Sequence, residues 1–173
     1  MWNTIARNVL ILFTFTLGLF FVLIYFFRNE SLYQNSMKIN SFVIPIFYTA
    51  VAFYSTYKQL EKGNYSLKKG FFISALSLFI AGFLSHGVVF FYLSKIDFDT
   101  ELILRTQWIA LNRKHAIESN PENIKQILTA LDSPEMRNTS VVCASNIFKF
   151  MSLQSLFYLF ISFFVSFFIR SRA

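Results

Sequence analysis

Four stretches of this chain are long enough and apolar enough to cross a lipid bilayer. The first, Val9 to Phe27, runs 19 residues without a charge between Arg7 and Arg28. A helix of about 20 apolar residues spans the hydrocarbon core. Three more runs follow, at about 39–57, 71–93 and 150–169. Hydrophobic residues make up 55% of the chain and charged residues only 14%, against about 25% charged in a soluble domain. A soluble globule is excluded on that ground. The 24 Phe exclude disorder, since disordered chains are poor in aromatics. A single Cys rules out a disulfide framework, and with only two His it rules out a cysteine/histidine zinc site.

Each run has its own character. Arg7 before the first run suggests a signal peptide. The run is too long for one, however, ends in Tyr25-Phe26-Phe27 and is followed by no small-x-small cleavage site. It is therefore expected to stay as a span. The second carries Pro45 near its expected start, where a proline is tolerated because first-turn N–H groups have no intrahelical partner. The third holds His86, and the fourth closes on Arg170 and Arg172. The last helix is expected to begin outside the membrane and to enter it near Lys149.

Between the third and fourth spans lies a polar insert, about 95–140, with six Lys/Arg and seven Asp/Glu. Asn120, Pro121 and Glu122 read as N-cap, first helical residue and dipole-favoured acid. Ile124, Ile127, Leu128 and Leu131 then recur at helical spacing, and Ser133-Pro134-Glu135 repeats the start signal. Leu104, Trp108 and Leu111 follow the same spacing after Asp99-Thr100. Two or three short amphipathic helices are expected, with no strand and no internal repeat.

The net charge of +7 does not indicate nucleic acid, because most Lys and Arg flank apolar runs and form no separate basic patch. Lys58, Lys62, Lys68 and Lys69 crowd the short connection between spans two and three, on the same side as Arg7, Arg170 and Arg172. Positive charge on short loops marks the cytoplasmic side. Both termini and this basic turn are therefore expected in the cytoplasm, with the insert outside. Beyond that topological role, the turn is a candidate docking surface for anionic lipid or a cytosolic partner.

Helices in lipid associate through small residues and interhelical hydrogen bonds rather than by hiding apolar surface. Span three has the clearest stripe: Gly70, Ser74, Ser77, Ala81 and Ser85. Thr14 and Gly18, Ala52 and Thr56, and Ser155, Ser162 and Ser166 are the corresponding candidates in spans one, two and four. A four-helix bundle accounts for all of them, and homodimerisation through one stripe is the rival. His86 is the one ionisable residue deep in a span, and such residues are candidates for function. Asn146, Lys149 and Gln154 lie at similar depth in span four, so a hydrogen bond from His86 to Asn146 or Gln154 is expected, with a packing role for His86. Lys149 is expected to snorkel to the interface. All nine acidic residues lie outside the spans, which disfavours a proton relay. Asp97 and Asp99 have the spacing of a divalent-cation pair, yet their place at the end of span three reads as a helix cap.

Tyr57-Lys58, Gly63, Ser66, Phe71 and Ile96-Asp97-Phe98-Asp99 carry a resemblance. From span two to the start of the insert, the chain resembles a family of four-span membrane proteins of Bacteroidota known only as a domain of unknown function. Leu67 and Lys68 stand where that family often has Phe and Gly, and Phe98 where it often has Pro. The order of spans, basic turn and insert is similar over the whole length. The resemblance implies a cytoplasmic-membrane protein with no assigned activity. Family members encoded near polyprenyl-phosphate glycosyltransferases hint at an accessory subunit.

The sequence therefore predicts an all-α integral membrane protein, a bundle of four transmembrane helices with a short helical extracytoplasmic insert, in the bacterial inner membrane. It is expected to be a non-catalytic accessory or assembly subunit, with the lipid bilayer and a membrane protein or a second copy as partners. No cofactor, metal or nucleic acid is expected. The alternative is a small channel or transporter acting as an oligomer.

Overall fold

The computed structural model describes residues 1–28, 31–61, 66–119, 124–134, 140 and 143–171. Helices account for nearly all of them, with no strand among the described residues. Helix α1 spans Trp2–Phe27, α2 Leu32–Lys38, α3 Ile44–Glu61, α4 Leu67–Lys95, α5 Phe98–Ser119, α6 Ile124–Asp132 and α7 Ala144–Arg170. One π-helical turn, Ile39–Val43, joins α2 to α3. The four helices long and apolar enough to cross a membrane are α1, the continuous run Leu32–Glu61, α4 and α7. The protein is thus an all-α, multi-pass bundle.

Cross-helix contacts fix the direction of each span. The Gln59 side chain donates to Thr4 Oγ1 at 3.5 Å, joining the start of α1 to the end of α3. Arg28 reaches Asp97 at 3.0 Å, joining the ends of α1 and α4. Phe53 meets Phe168, which brings the end of α7 to the last turns of α3. Arg7, Lys58, Lys68, Lys69 and Arg170 therefore gather at one end, and α5 covers the other.

Helix α4 is the hub, packed against α1, α3 and α7. Its stripe performs as its composition dictates: Gly70, Ser74, Ser77, Ala81 and Ser85 are all buried. Ala52 and Thr56 of α3, and Ser162 and Ser166 of α7, are buried as well. Hydrogen bonds pin the layers, Asn8 Nδ2 donating to Ser77 Oγ at 3.3 Å and the Thr56 and Ser74 hydroxyls pairing at 2.8 Å. At mid-height the Thr16 and Tyr48 hydroxyls pair at 3.1 Å, and Tyr48 stacks on Tyr158. Tyr158 in turn presses on Gly82, where an added Cβ would lie 2.9 Å from the phenol ring. Glycine's usual helix penalty is offset here by the close approach of α7 to α4.

Three expectations need correction. Thr14 and Gly18 do not form the packing face of span one. Both are exposed, and nothing lies within 4 Å of a Cβ placed on Gly18; the buried face is Ile5, Asn8, Leu12 and Thr16. The second helix does not start near its proline. The helix that carries it begins earlier, at Leu32, so Pro45 sits inside a 30-residue helical run. A proline there has no N–H to give and its ring crowds the carbonyl four residues back. The chain answers by widening the preceding turn, with the Ile44 N–H donating to the Ile39 carbonyl, a π-type bond. The insert, finally, is led by one helix of 22 residues, α5, rather than by short ones. No Gly or Pro interrupts Phe98–Ser119, so nothing breaks it. Helix α6 packs on α5, Arg113 and Asp132 pairing across them. The start signals at Asn120–Glu122 and at Glu135 lie outside the described residues.

Candidate functional site

At the end covered by α5 the bundle opens. The substantial packing partners of α3 are α1, α4 and α7, whereas those of α2 are α1 and α5. The π turn marks the change: beyond it the second span leaves α7 and follows α1. Between them, against the half of α4 nearer α5, lies a cavity of about 400 Å³, within the range of about 300–1,000 Å³ typical of ligand sites. Leu19, Leu23, Ile39, Val89, Phe90, Leu93 and Phe150 give it apolar walls. Its polar groups among the described residues are Thr16, Tyr33, Ser36, Asn40, Ser85, His86 and Asn146, and no described Lys, Arg, Asp or Glu lines it.

His86 and Asn146 are both in this wall, and Gln154 is not. The hydrogen bond expected from His86 to span four is made instead within α4. His86 Nδ1 donates to the Gly82 carbonyl at 2.7 Å, and its ring lies 5.5 Å from that of Phe150. A carbonyl only accepts, so Nδ1 carries the proton and Nε2 of the neutral ring is left as an acceptor. Gln154 Oε1 accepts from Tyr158 at 3.4 Å. His86 thus packs against span four through its ring. Replacing it with Gln or Leu is expected to lower stability by about 1 kcal/mol or less, the scale of one hydrogen bond inside a membrane bundle. Thermal unfolding in detergent checks this, and a folded but inactive His86→Gln protein would mark the residue as functional.

Asp97 closes the covered end. Its Oδ1 accepts from the Thr100 N–H at 3.0 Å and its Oδ2 from the Thr100 hydroxyl at 2.7 Å, an N-cap on α5. Arg28 and Tyr92 also donate to it. Partial burial works to raise this carboxyl, but the Thr100 bonds, the Arg28 guanidinium and the Tyr92 hydroxyl outweigh it and hold it below the ordinary carboxylate value. Its oxygens are committed to the cap, as the sequence indicated, while Asp99 is exposed in the first turn. Nearby, the Tyr33 N–H at the start of α2 donates to Gln107 Oε1 at 2.8 Å, so α5 satisfies a donor that α2 leaves free.

At the other end, Lys58 lies 4.9 Å from the centroid of the Tyr54 ring, a cation–π contact. Ser66 caps α4 by accepting from the Lys69 N–H at 3.2 Å, and Lys68 is exposed. Lys62 lies outside the described residues. Sequence reasoning found His86 and Asn146 but missed Tyr33, Ser36 and Asn40. The signal that points to them is Pro45, a proline that distorts the preceding turn.

No curated protein and no solved structure matches the chain significantly. A family model described as "Protein of unknown function (DUF4199)" matches residues 10–171, nearly the whole length of the bundle, and the chain belongs to that family.

Proposed function

We propose that this is a non-catalytic membrane protein acting as an accessory or assembly subunit of a membrane complex in the bacterial inner membrane, with both termini and the basic end in the cytoplasm. The observation that carries the reading is the use of polar side chains within the spans. Asn8, Thr16, Tyr48, Thr56, Ser74 and Ser77 bond to one another across helices or back to their own turns. They hold the bundle together, which suits a protein whose role rests on its packing. A second helix face supports the partnership. Phe157, Phe160, Phe163, Phe164 and Phe167 of α7 are exposed, away from the side that packs on the bundle. They offer an aromatic surface to lipid or to a neighbouring helix. A polyprenyl-phosphate glycosyltransferase is the first partner to seek.

Gentle detergent extraction from the native membrane, followed by identification of co-purifying proteins, tests this. A defined membrane partner in constant ratio is expected. A lone oligomer that conducts ions in liposomes would overturn the proposal in favour of a channel.

A further inference from the structure

We propose that the cavity between α2 and α7 is a binding site for one acyl chain of a membrane phospholipid. The chain enters sideways from the leaflet on the α5 side. Three observations converge on this occupant. The walls are mostly apolar, and the site lies along the membrane-spanning part of α4, from Ser85 to Leu93. That stretch is about 12 Å of helix, deep enough for a substantial length of chain. Among the described residues no charged side chain lines the cavity, so they offer an ionic ligand no counter-charge, which is unfavourable in low dielectric. The lipid's charged head therefore stays outside, at the level of the bundle end. The site also flanks the place where the π turn carries the second span away from α7, so the two helices that border it diverge there.

The polar side chains are placed for the uncharged linkage that follows a head group. Tyr33, Ser36 and Asn40 come from the end of the second span nearest α5, and Asn146 from the first turn of α7. An ester carbonyl at that level can accept from an Asn amide or the Ser hydroxyl. The hydrocarbon then runs inward past Val89 and Phe90 toward Ser85 and Thr16.

The test reconstitutes the full chain in phosphatidylcholine vesicles carrying a diazirine at mid-chain. It maps photo-adducts by peptide mass spectrometry. Adducts are expected to concentrate on Val89, Phe90, Ile147 and Phe150 over the fully lipid-facing Phe160 and Phe163. Val89→Trp and Ile147→Trp, which fill the cavity, should each cut those adducts at least five-fold, while Phe163→Trp on the open face leaves them unchanged. Adducts spread evenly over every exposed face of the wild-type protein would overturn the proposal, whatever the variants do. So would an undiminished cavity signal in a folded Val89→Trp or Ile147→Trp protein.

Discussion

Gly82→Leu is expected to be the most damaging single substitution in the spans. A Cβ at this position already lies 2.9 Å from the Tyr158 ring, inside any normal contact distance. That ring is fixed in turn by its stack on Tyr48 and by Phe79 at its edge. It has no room to swing away, so α7 must retreat from α4. Overpacking of this kind costs about 3 kcal/mol. Loss of the Tyr48 stack and of the Thr16–Tyr48 hydrogen bond should follow, because all three side chains occupy one layer. Thermal unfolding in mild detergent should show a large drop in midpoint. Gly18→Leu is the matched control. The same replacement on the exposed face of α1, where nothing lies within 4 Å, should leave the midpoint almost unchanged. Equal effects at the two positions would contradict the packing described here.

The second large effect belongs to Asp97→Ala. The substitution removes the cap on α5, the partner of Arg28 and the acceptor of the Thr100 hydroxyl together. A lost N-cap costs about 1 kcal/mol. The pair with Arg28, itself more than a third exposed, adds about 1 kcal/mol at most, giving about 2 kcal/mol in total. The damage should be local. Hydrogen exchange should quicken in the first turns of α5 and at Tyr33, whose N–H is held by Gln107 of α5, while the centre of α4 stays protected. The pH dependence has a definite sign. The folded carboxyl is held below its ordinary value. Its contribution is therefore fully present above the unfolded pKa of about 3.9 and is lost as the pH falls through the folded value. Wild-type α5 should loosen in acid below that point, and Asp97→Ala should remove this step.

How far the fold can be read from the sequence depends on whether the signal is local. The stripe on α4 is local: small residues at helical spacing in an otherwise bulky span can serve only close packing, and every one of them is buried. The Asp97 cap is local too, since Asp and Thr three apart at a helix start carry their own hydrogen bonds. Span one is different. Its inward face is chosen by Asn8 and Thr16, whose partners Ser77 and Tyr48 lie 69 and 32 residues away. Gly18, a local signal for packing, has no partner helix within this chain.

The helix of the second span starts before its apolar run for another reason. Gln34, Asn35, Lys38 and Asn40 lower the apolar signal where α2 leaves the α3–α7 packing and lies against α1 and α5. That tertiary support keeps the segment helical. The cavity's only local trace is Pro45, because its walls come from six helices spread along the chain. His86 and Asn146 were legible as polar residues at similar depth. The hydrogen bond expected between His86 and span four gave way to the nearer carbonyl of Gly82, one turn back on the same helix.

The proposed topology is a four-span bundle with its basic end in the cytoplasm and α5–α6 outside. Cysteine accessibility tests it most directly. Cys143, at the start of α7, is first replaced by Ser. Glu118→Cys in α5 and Lys68→Cys at the start of α4 are then labelled separately with a membrane-impermeant maleimide in intact spheroplasts. Position 118 should be labelled at once and position 68 only after the membrane is opened. Labelling of position 68 with protection of position 118 would invert the orientation, and labelling of both in intact cells would contradict the four-span bundle itself.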